Sequence, residues 1–460
     1  MLALGLLGAA GALLTPRGPK RLAVGIVAVA LLGVASMQRA LDGLEHSPLT
    51  APRDARASGR ITATLVDDPG GEQYSARMLA RVKRFDGRPT GSRTVLVTAG
   101  GDVAGRLRLL EAGDEVDLSG WFQPLSGYDT RLPWRHTVAR FDAVELLAFE
   151  PARSPLHRTA NALRGRVLAG GAHLPATERA LLAGFLLGDT RALPREVAEQ
   201  FRASGLTHLL AVSGANVAFV LALTRPLIRR LSLRAQLVAG LGLLVVFGTM
   251  TRWEPSVLRA CAMAACSMTA LYLGRPTAGV RVLALAVVAL VLADPFLLHS
   301  IGFLLSCGAS AGIAVLAAPV SGRLPGPLWL REPLGVTLAA QIGVAPVLIP
   351  VFGSVPLAAL PANLVAGPLA GPLTVLGVLS GLAGGGVESW WPGLAAALQV
   401  PTGLLATVMV HVAAVFSRVP VEVDGRAAWA IVACGALVGA VRVQSRRRHN
   451  LRSDAPLPSR

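Results

Sequence analysis

His208, Ser213 and Asn216 sit inside one otherwise apolar run, residues 205–217. An imidazole, a hydroxyl and an amide in such company allow two chemistries. A serine nucleophile with a histidine base would make an intramembrane hydrolase, with Asp189 or Glu254 as the orienting carboxylate. A polar constriction, or a node of hydrogen bonds between helices, uses the same groups without making or breaking a covalent bond. On a helix, Ser213 and Asn216 share a face, and His208 lies roughly 140° from Ser213. A break at Gly214 would realign them. The hydrogen-bonding reading needs no realignment, and the chain is expected not to be an enzyme.

Two other charged residues stand close to this run. Arg259 lies a few positions inside an apolar span, below Trp253 and Glu254. It either snorkels to the interface or faces a pathway and meets phosphate. Asp189 follows Gly188 and either caps the next helix or holds a charge pair near the pathway mouth. A separate stretch carries Trp121, Phe122, Tyr128, Arg131, Trp134, Arg135, His136 and Arg140. Aromatics interleaved with arginine suit the stacking of single-stranded bases and the neutralisation of their phosphates. Tyr128, Arg131, Trp134 and Arg135 are the first choices, because their Pro/Gly-rich segment reads as a loop.

The elements that must position these residues belong to a membrane protein. Of 460 residues, 53% are hydrophobic and 15% are charged, with mean hydropathy +0.55. Soluble domains average about 25% charged. The formal net charge is +17. Arginines flanking apolar runs anchor loops in the cytoplasm, and the same charge also suits a polyanion. Cys261, Cys266, Cys307 and Cys434 all lie in apolar runs without metal-ligand company. They read as small buried hydrophobes; no metal and no cofactor is expected.

Residues 1–45 read as a transmembrane hairpin, with apolar segments 2–14 and 22–37 around the basic turn Arg17–Arg21. Residues 46–153 alternate in the manner of strands near 59–67, 75–85, 93–99, 115–122 and 138–149, the number in an OB-type barrel. Residues 154–205 read as amphipathic helices lying at the interface or capping the bundle. Residues 206–445 hold apolar runs at 206–224, 235–250, 256–273, 282–293, 299–319, 335–352, 364–383, 393–416 and 427–441, and 446–460 form a basic tail. With the hairpin this makes about eleven spans. The Pro/Gly run 360–372, which includes Asn363, is expected not to form one regular helix. Placing the basic clusters 225–230 and 446–448 in the cytoplasm also puts Arg17, Lys20 and Arg21 there. The β domain is then extracytoplasmic and the C-terminus cytoplasmic.

Three blocks in this region resemble the ComEC competence family of DNA internalisation channels. The first runs from Gly188-Asp189 through Leu193-Pro194 and Phe201 to Gly205–Val217. The second holds Ser256, Arg259-Ala260, Gly274-Arg275, Asp294-Pro295, Gly302-Phe303 and Ser306. The third holds Gln341, Pro346, Phe352-Gly353 and Pro361-Ala362-Asn363-Leu364. The resemblance implies an OB domain before the channel and assigns Asp189, His208, Ser213, Asn216, Arg259 and Asn363 to the signature or pore. Its commonest signature ends Ser-Gly-Leu-His-Val, where this chain has Ser213-Gly214-Ala215-Asn216-Val217, so the titratable imidazole is absent. Many members also end in a metallo-β-lactamase-like nuclease domain with a His-x-His-x-Asp-His cluster, and no two of the eight histidines here are close enough to build it.

These features predict a polytopic α-helical protein of the bacterial cytoplasmic membrane with an extracytoplasmic OB-like barrel. Its expected role is the passage of single-stranded DNA through the lipid bilayer. There is no phosphate-cradling Gly-Lys-Ser/Thr loop. Transport work is therefore expected to come from a cytoplasmic DNA-translocating ATPase, and strand degradation from a separate nuclease. The competing readings are a small-solute or ion-coupled permease, which needs no base-stacking barrel, and the intramembrane hydrolase.

Overall fold

Period-two alternation builds the polar segment that follows the first described helix, and long apolar runs build most of the rest. The computed structural model describes residues 19–71, 74–275, 278–356, 358–419 and 422–424. α1 (Pro19–Glu45) leads through the short α2 (Thr50–Asp54) into five strands: β1 (Ser58–Leu65), β2 (Ser75–Phe85), β3 (Arg88–Gly100), β4 (Glu115–Gln123) and β5 (Thr137–Glu150). They close a barrel in the order β1-β2-β3-β5-β4. β3 and β5 run parallel, and the other neighbouring pairs run antiparallel. The β2–β3 hairpin turns at Asp86 and Gly87, whose φ values of 46° and 78° match the twist of the strands they join.

In the barrel core Phe122 packs edge-on against Phe85 and Phe141, with centroids 5.2 and 5.0 Å apart. α3 (Gly101–Leu107), between β3 and β4, buries Ala104 and Leu107 in the same core. Outward positions of β2 carry the exposed Arg77, Arg81 and Lys83. Strand alternation thus leaves a basic face outside an apolar barrel.

The helices that follow are α4 (Pro155–Gly170), α5 (Ala176–Leu187), α6 (Arg195–Ala203), α7 (Thr207–Leu210), α8 (Gly214–Ile228), α9 (Leu233–Met250), α10 (Pro255–Tyr272) and α11 (Gly279–Ala293). They continue as α12 (Ile301–Ser321), α13 (Leu328–Phe352), α14 (Ala359–Val387) and α15 (Pro392–Ser417). A short pair, β6 (Ser354–Pro356) and β7 (Glu422–Asp424), joins the start of α14 to the chain beyond α15. Among the described residues, six helices are long and apolar enough to cross a membrane: α1 from Ala23, α9, and α12 to α15. α8 and α11 are apolar but have only 15 residues. Each is about 22 Å long, short of a hydrocarbon core of about 30 Å. The expected spans 2–14 and 427–441, and the tail 446–460, lie outside the described residues.

One expectation is made more specific and one is corrected. Within the bridge, α5 packs into the bundle, with residues 180–187 all buried. α4 packs backbone to backbone against α14, and beyond α4 the turn residue His173 pairs with Glu388 at the end of α14 at 3.0 Å. α4 and α6 are each one-sided: α4 buries Ala160, Asn161, Arg164, Val167 and Gly170, and α6 buries Val197 and Phe201. The Pro/Gly run differs: α14 passes without interruption through Pro368 and Pro372. The prolines are four apart, so their missing donors fall on nearly one face, and packed neighbours tolerate this in a bundle.

Close helix packing explains many of the glycines. A Cβ on Gly170 would overlap the carbonyl of Gly381, and one on Gly385 would overlap that of Arg166, so α4 and α14 touch backbone to backbone. Gly308 and Gly312 do the same for α12 against Gly343 and Ala339 of α13. Gly312→Val should therefore force the pair apart and destabilise the detergent-solubilised protein by about 1–3 kcal/mol. Gly367→Val, where nothing stands within 4 Å, should leave the thermal midpoint nearly unchanged.

Candidate functional site

The loop between β1 and β2 carries Asp68 to the end of the helical bundle. Arg252, in the turn between α9 and α10, holds both of its oxygens at 2.6 to 3.1 Å. Arg164 of α4, only 2% exposed, reaches Asp68 at 2.7 Å and Asp189 at 3.5 Å. The same guanidinium donates to the carbonyls of Leu187 at 3.1 Å and Met250 at 2.6 Å, ending α5 and α9. Arg191 clasps Asp189 at 2.6 Å and donates to the Pro69 carbonyl at 2.9 Å. Asn161 accepts from Arg252 at 2.8 Å and donates to the Ala112 carbonyl at 3.1 Å. Three guanidiniums and two carboxylates thus lock barrel and bundle together.

The turn that presents Arg252 has unusual backbone geometry. Arg252 and Trp253 are both left-handed, with φ of 55° and 54°. Neither residue is glycine, so each costs on the order of 1–3 kcal/mol and must be held by its surroundings. The ion pairs hold Arg252. Trp253 lies over Gly248, where a Cβ would stand 2.5 Å from the ring. Glu254 then accepts from the Val212 amide, one residue before Ser213.

The carboxylates here divide by their partners. Burial pushes Asp68 up, but hydrogen bonds from Arg252 and the charge of Arg164 overcome it and hold Asp68 below its usual range. Burial also opposes Asp189, and Arg191 overcomes it in the same direction. Glu254 goes the other way: burial pushes it up to about 7, against the Val212 amide and the charge of Arg164.

A second seam joins the loop between β4 and β5 to the end of α11. Trp134 stacks on His299 at 3.7 Å, nearly parallel, and meets Phe296 edge-on at 5.5 Å. His136 pairs with Asp294 at 3.0 Å. Trp134 is therefore a docking residue, where a free loop ring was expected. Tyr128, 96% exposed, and Arg131 remain open, and Arg135 lies 3.7 Å from Asp67.

The signature is broken just before Gly214, and the break does not bring His208 into line with Ser213 and Asn216. α7 ends at Leu210, the chain turns extended at Ala211 and Ser213, and α8 begins at Gly214. Ser213 Oγ donates to Asn216 Oδ1 at 2.9 Å, Asn216 Nδ2 donates to the Phe185 carbonyl of α5 at 2.7 Å, and Thr374 of α14 donates to Asn216 at 3.3 Å. The buried Asn216 thus ties three helices together. His208 is not brought to this node; its ring is exposed and bonds the Gly205 carbonyl. Asn363 donates to the Ala359 carbonyl at 2.8 Å, inside its own helix. Asp189 caps no helix and serves the ion cluster. Arg259 turns inward to Ser310 instead of snorkelling.

Asp68, Asn161, Arg164, Arg252 and Thr374 were not singled out from the sequence. One signal was present: Ala160, Asn161, Arg164, Val167 and Gly170 form the buried stripe of α4, so the two polar residues lie on its apolar period.

Comparison with known proteins adds to this geometry. The family described as Competence protein matches residues 185–448. The uncharacterized protein YcaI of Escherichia coli strain K12 is 28% identical over 226 residues, covering 45% of this chain and 29% of that protein. ComE operon protein 3 of Bacillus subtilis strain 168 is 26% identical over 197 residues, covering 42% and 25%. The chain spans under a third of the length of these curated relatives. No solved structure matches it.

The charged junction should show opposite pH limbs. Glu254 is raised, so its contribution is fully present below about 4.5 and is lost as pH climbs through about 7. Asp68 and Asp189 are lowered, so theirs is present above 3.8 and is lost as pH falls through their folded values. Thermal midpoints in detergent should rise from pH 8 to pH 5 and fall in stronger acid. Glu254→Gln should abolish the first limb alone. Arg164→Gln should cost about 3–5 kcal/mol, by removing the buried cation between Asp68 and Asp189 and its donors to the Leu187 and Met250 carbonyls.

Proposed function

The chain belongs to the competence protein family, and on that premise we propose that it is a membrane channel passing incoming single-stranded DNA across the bacterial cytoplasmic membrane during natural transformation. The observation that carries this reading is the orientation of the barrel. We read it as an OB-type barrel on its strand order and on the helix between β3 and β4. Such barrels take oligonucleotides on strands 2 and 3 and on the loops after strands 1 and 4. Here those two loops rest on the bundle, at the ends of α9 and α11 and beside the start of α10. A strand held against Arg77, Arg81, Tyr128 and Arg131 would be delivered to the bundle end.

The barrel is placed outside the cytoplasm and the C-terminus inside it. Support comes from the basic residues 225–230, at the end of α8 away from its Val212–Ser256 contact with the barrel-facing turn. A cytoplasmic DNA-translocating ATPase and a separate nuclease are the proposed partners. Arg106→Cys, exposed on α3, should react in intact cells with a membrane-impermeant thiol reagent once the outer envelope is permeable. Labelling only after lysis would reverse the orientation.

The polar node should serve assembly and passage, without nucleophilic chemistry. Ser213 gives its hydroxyl proton to Asn216, which favours the channel over the hydrolase. Asn216→Leu should abolish uptake of labelled DNA by a deletion strain carrying the variant. Ser213→Ala at matched membrane abundance should retain at least about a tenth of uptake, since one neutral hydrogen bond is worth about 1 kcal/mol. Complete loss in Ser213→Ala, together with reaction of Ser213→Cys with an electrophilic probe, would favour the hydrolase.

A further inference from the structure

The start of α8 and the side chain of Arg259 share one uncompensated positive charge in the bundle. α8 begins inside an apolar stretch, after extended residues, so its first amides point out of a helix break. No side chain caps them: Ser213, at the N-cap position, spends its hydroxyl as a donor to Asn216. The amide end of a helix carries about half a positive charge. Arg259 reaches the same place from α10. A Cβ on Gly214 would overlap its Nη2, so the guanidinium occupies the space that a side chain would need.

Arg259 is 7% exposed and stands without a countercharge. Its Nη1 donates to Ser310 Oγ and, at 3.6 Å, meets the sulfur of Met263; its buried Nε has no partner. Among the described residues no carboxylate forms an ion pair with it. The acid nearest in sequence, Glu254, bonds the Val212 amide instead. An unpaired buried cation is costly, and a helix N-terminus beside it raises the cost. Both costs are removed by one bound oxyanion. The place is open, with Ala211 and Ala215 exposed and Ser213 and Gly214 half-buried.

We propose that the first turn of α8 together with Arg259 is a binding station for a phosphodiester anion, a step in the strand's passage that rests on the channel reading for the identity of its carrier. A guanidinium fork and helix amides are complementary to phosphate oxygens. Interrupted membrane helices present their N-termini to anionic groups in the same manner. A diester carries one charge, matching the single arginine.

The test uses the full chain in detergent, with inorganic phosphate, an eight-residue oligothymidylate and its uncharged methylphosphonate analogue as probes. In wild type, phosphate should raise the thermal midpoint and the oligothymidylate should bind more tightly than its analogue. Arg259→Gln should fold, lose the phosphate shift and bind the oligothymidylate about tenfold more weakly. Arg259→Lys should recover part of both, and the analogue should be indifferent to all of these changes. Gly214→Ala, which crowds the guanidinium without removing charge, should weaken the phosphate shift and serves if Arg259→Gln does not fold. A folded Arg259→Gln protein with unchanged phosphate shift and oligothymidylate affinity overturns the station. So does a phosphate shift with no Arg259 dependence of oligothymidylate binding. DNA uptake persisting in either case leaves the channel reading standing. An Arg259-dependent station in a wild-type protein that takes up no DNA sinks the channel reading alone.

Discussion

The architecture depends on a buried charge cluster that the bundle could not tolerate without the barrel. Asp68 leaves the barrel on a short loop and has 9% of its side chain exposed, between Arg164 and Arg252. Separated, the barrel would show a loop carboxylate to water at little cost. The bundle would be left with Arg164 almost wholly enclosed and facing only Asp189 and carbonyls. Removing one member of such a set costs more than the set contributes, because the remaining charges stay desolvated. The cluster therefore acts chiefly as a constraint on position. It fixes where the barrel sits, and it holds the left-handed turn at Arg252 and Trp253.

That turn connects the junction to the signature. Beyond Trp253, Glu254 reaches the Val212 amide, and Ser256 donates to the Val212 carbonyl at 2.6 Å. Val212 is thus pinned on both sides of its peptide groups by the start of α10. The extended segment 211–213 has satisfied backbone groups at this residue, which a helix break inside a bundle requires. From there Ser213 and Asn216 pass the constraint to α5 and α14. Barrel placement, helix break and polar node form one continuous network.

For a family whose members act in competence, this arrangement has a functional logic. A barrel standing apart from the membrane could bind a strand without directing it. Here the loops after β1 and β4, which the proposed channel reading assigns to strand binding, are the ones that dock, through Asp68 at one seam and through Trp134 and His136 at the other. The aromatic that docks, Trp134, stacks on His299, while Tyr128 and the β2 arginines remain exposed.

The sequence by itself determined the class and the elements. Period-two patterns located five strands to within a few residues, and every expected apolar run among the described residues became a helix or contained one. The polar signature and its break near Gly214 were legible because His, Ser and Asn stand out against apolar neighbours. Local pattern could not show which partner each polar group would find. Asp68 and Arg164 carry no local mark of their partners, and Trp134 reads as a loop aromatic. Their partners lie 96, 184 or 165 residues away, and such pairings exist only once helix ends and barrel loops meet. The Pro/Gly run shows the opposite case: proline and glycine argue locally for a break, yet α14 runs through them, with Gly371 packed there against Phe219 of α8. Propensity is a property of a segment, whereas satisfaction of a buried charge or carbonyl is a property of what packs against it. Only the tertiary structure decided that.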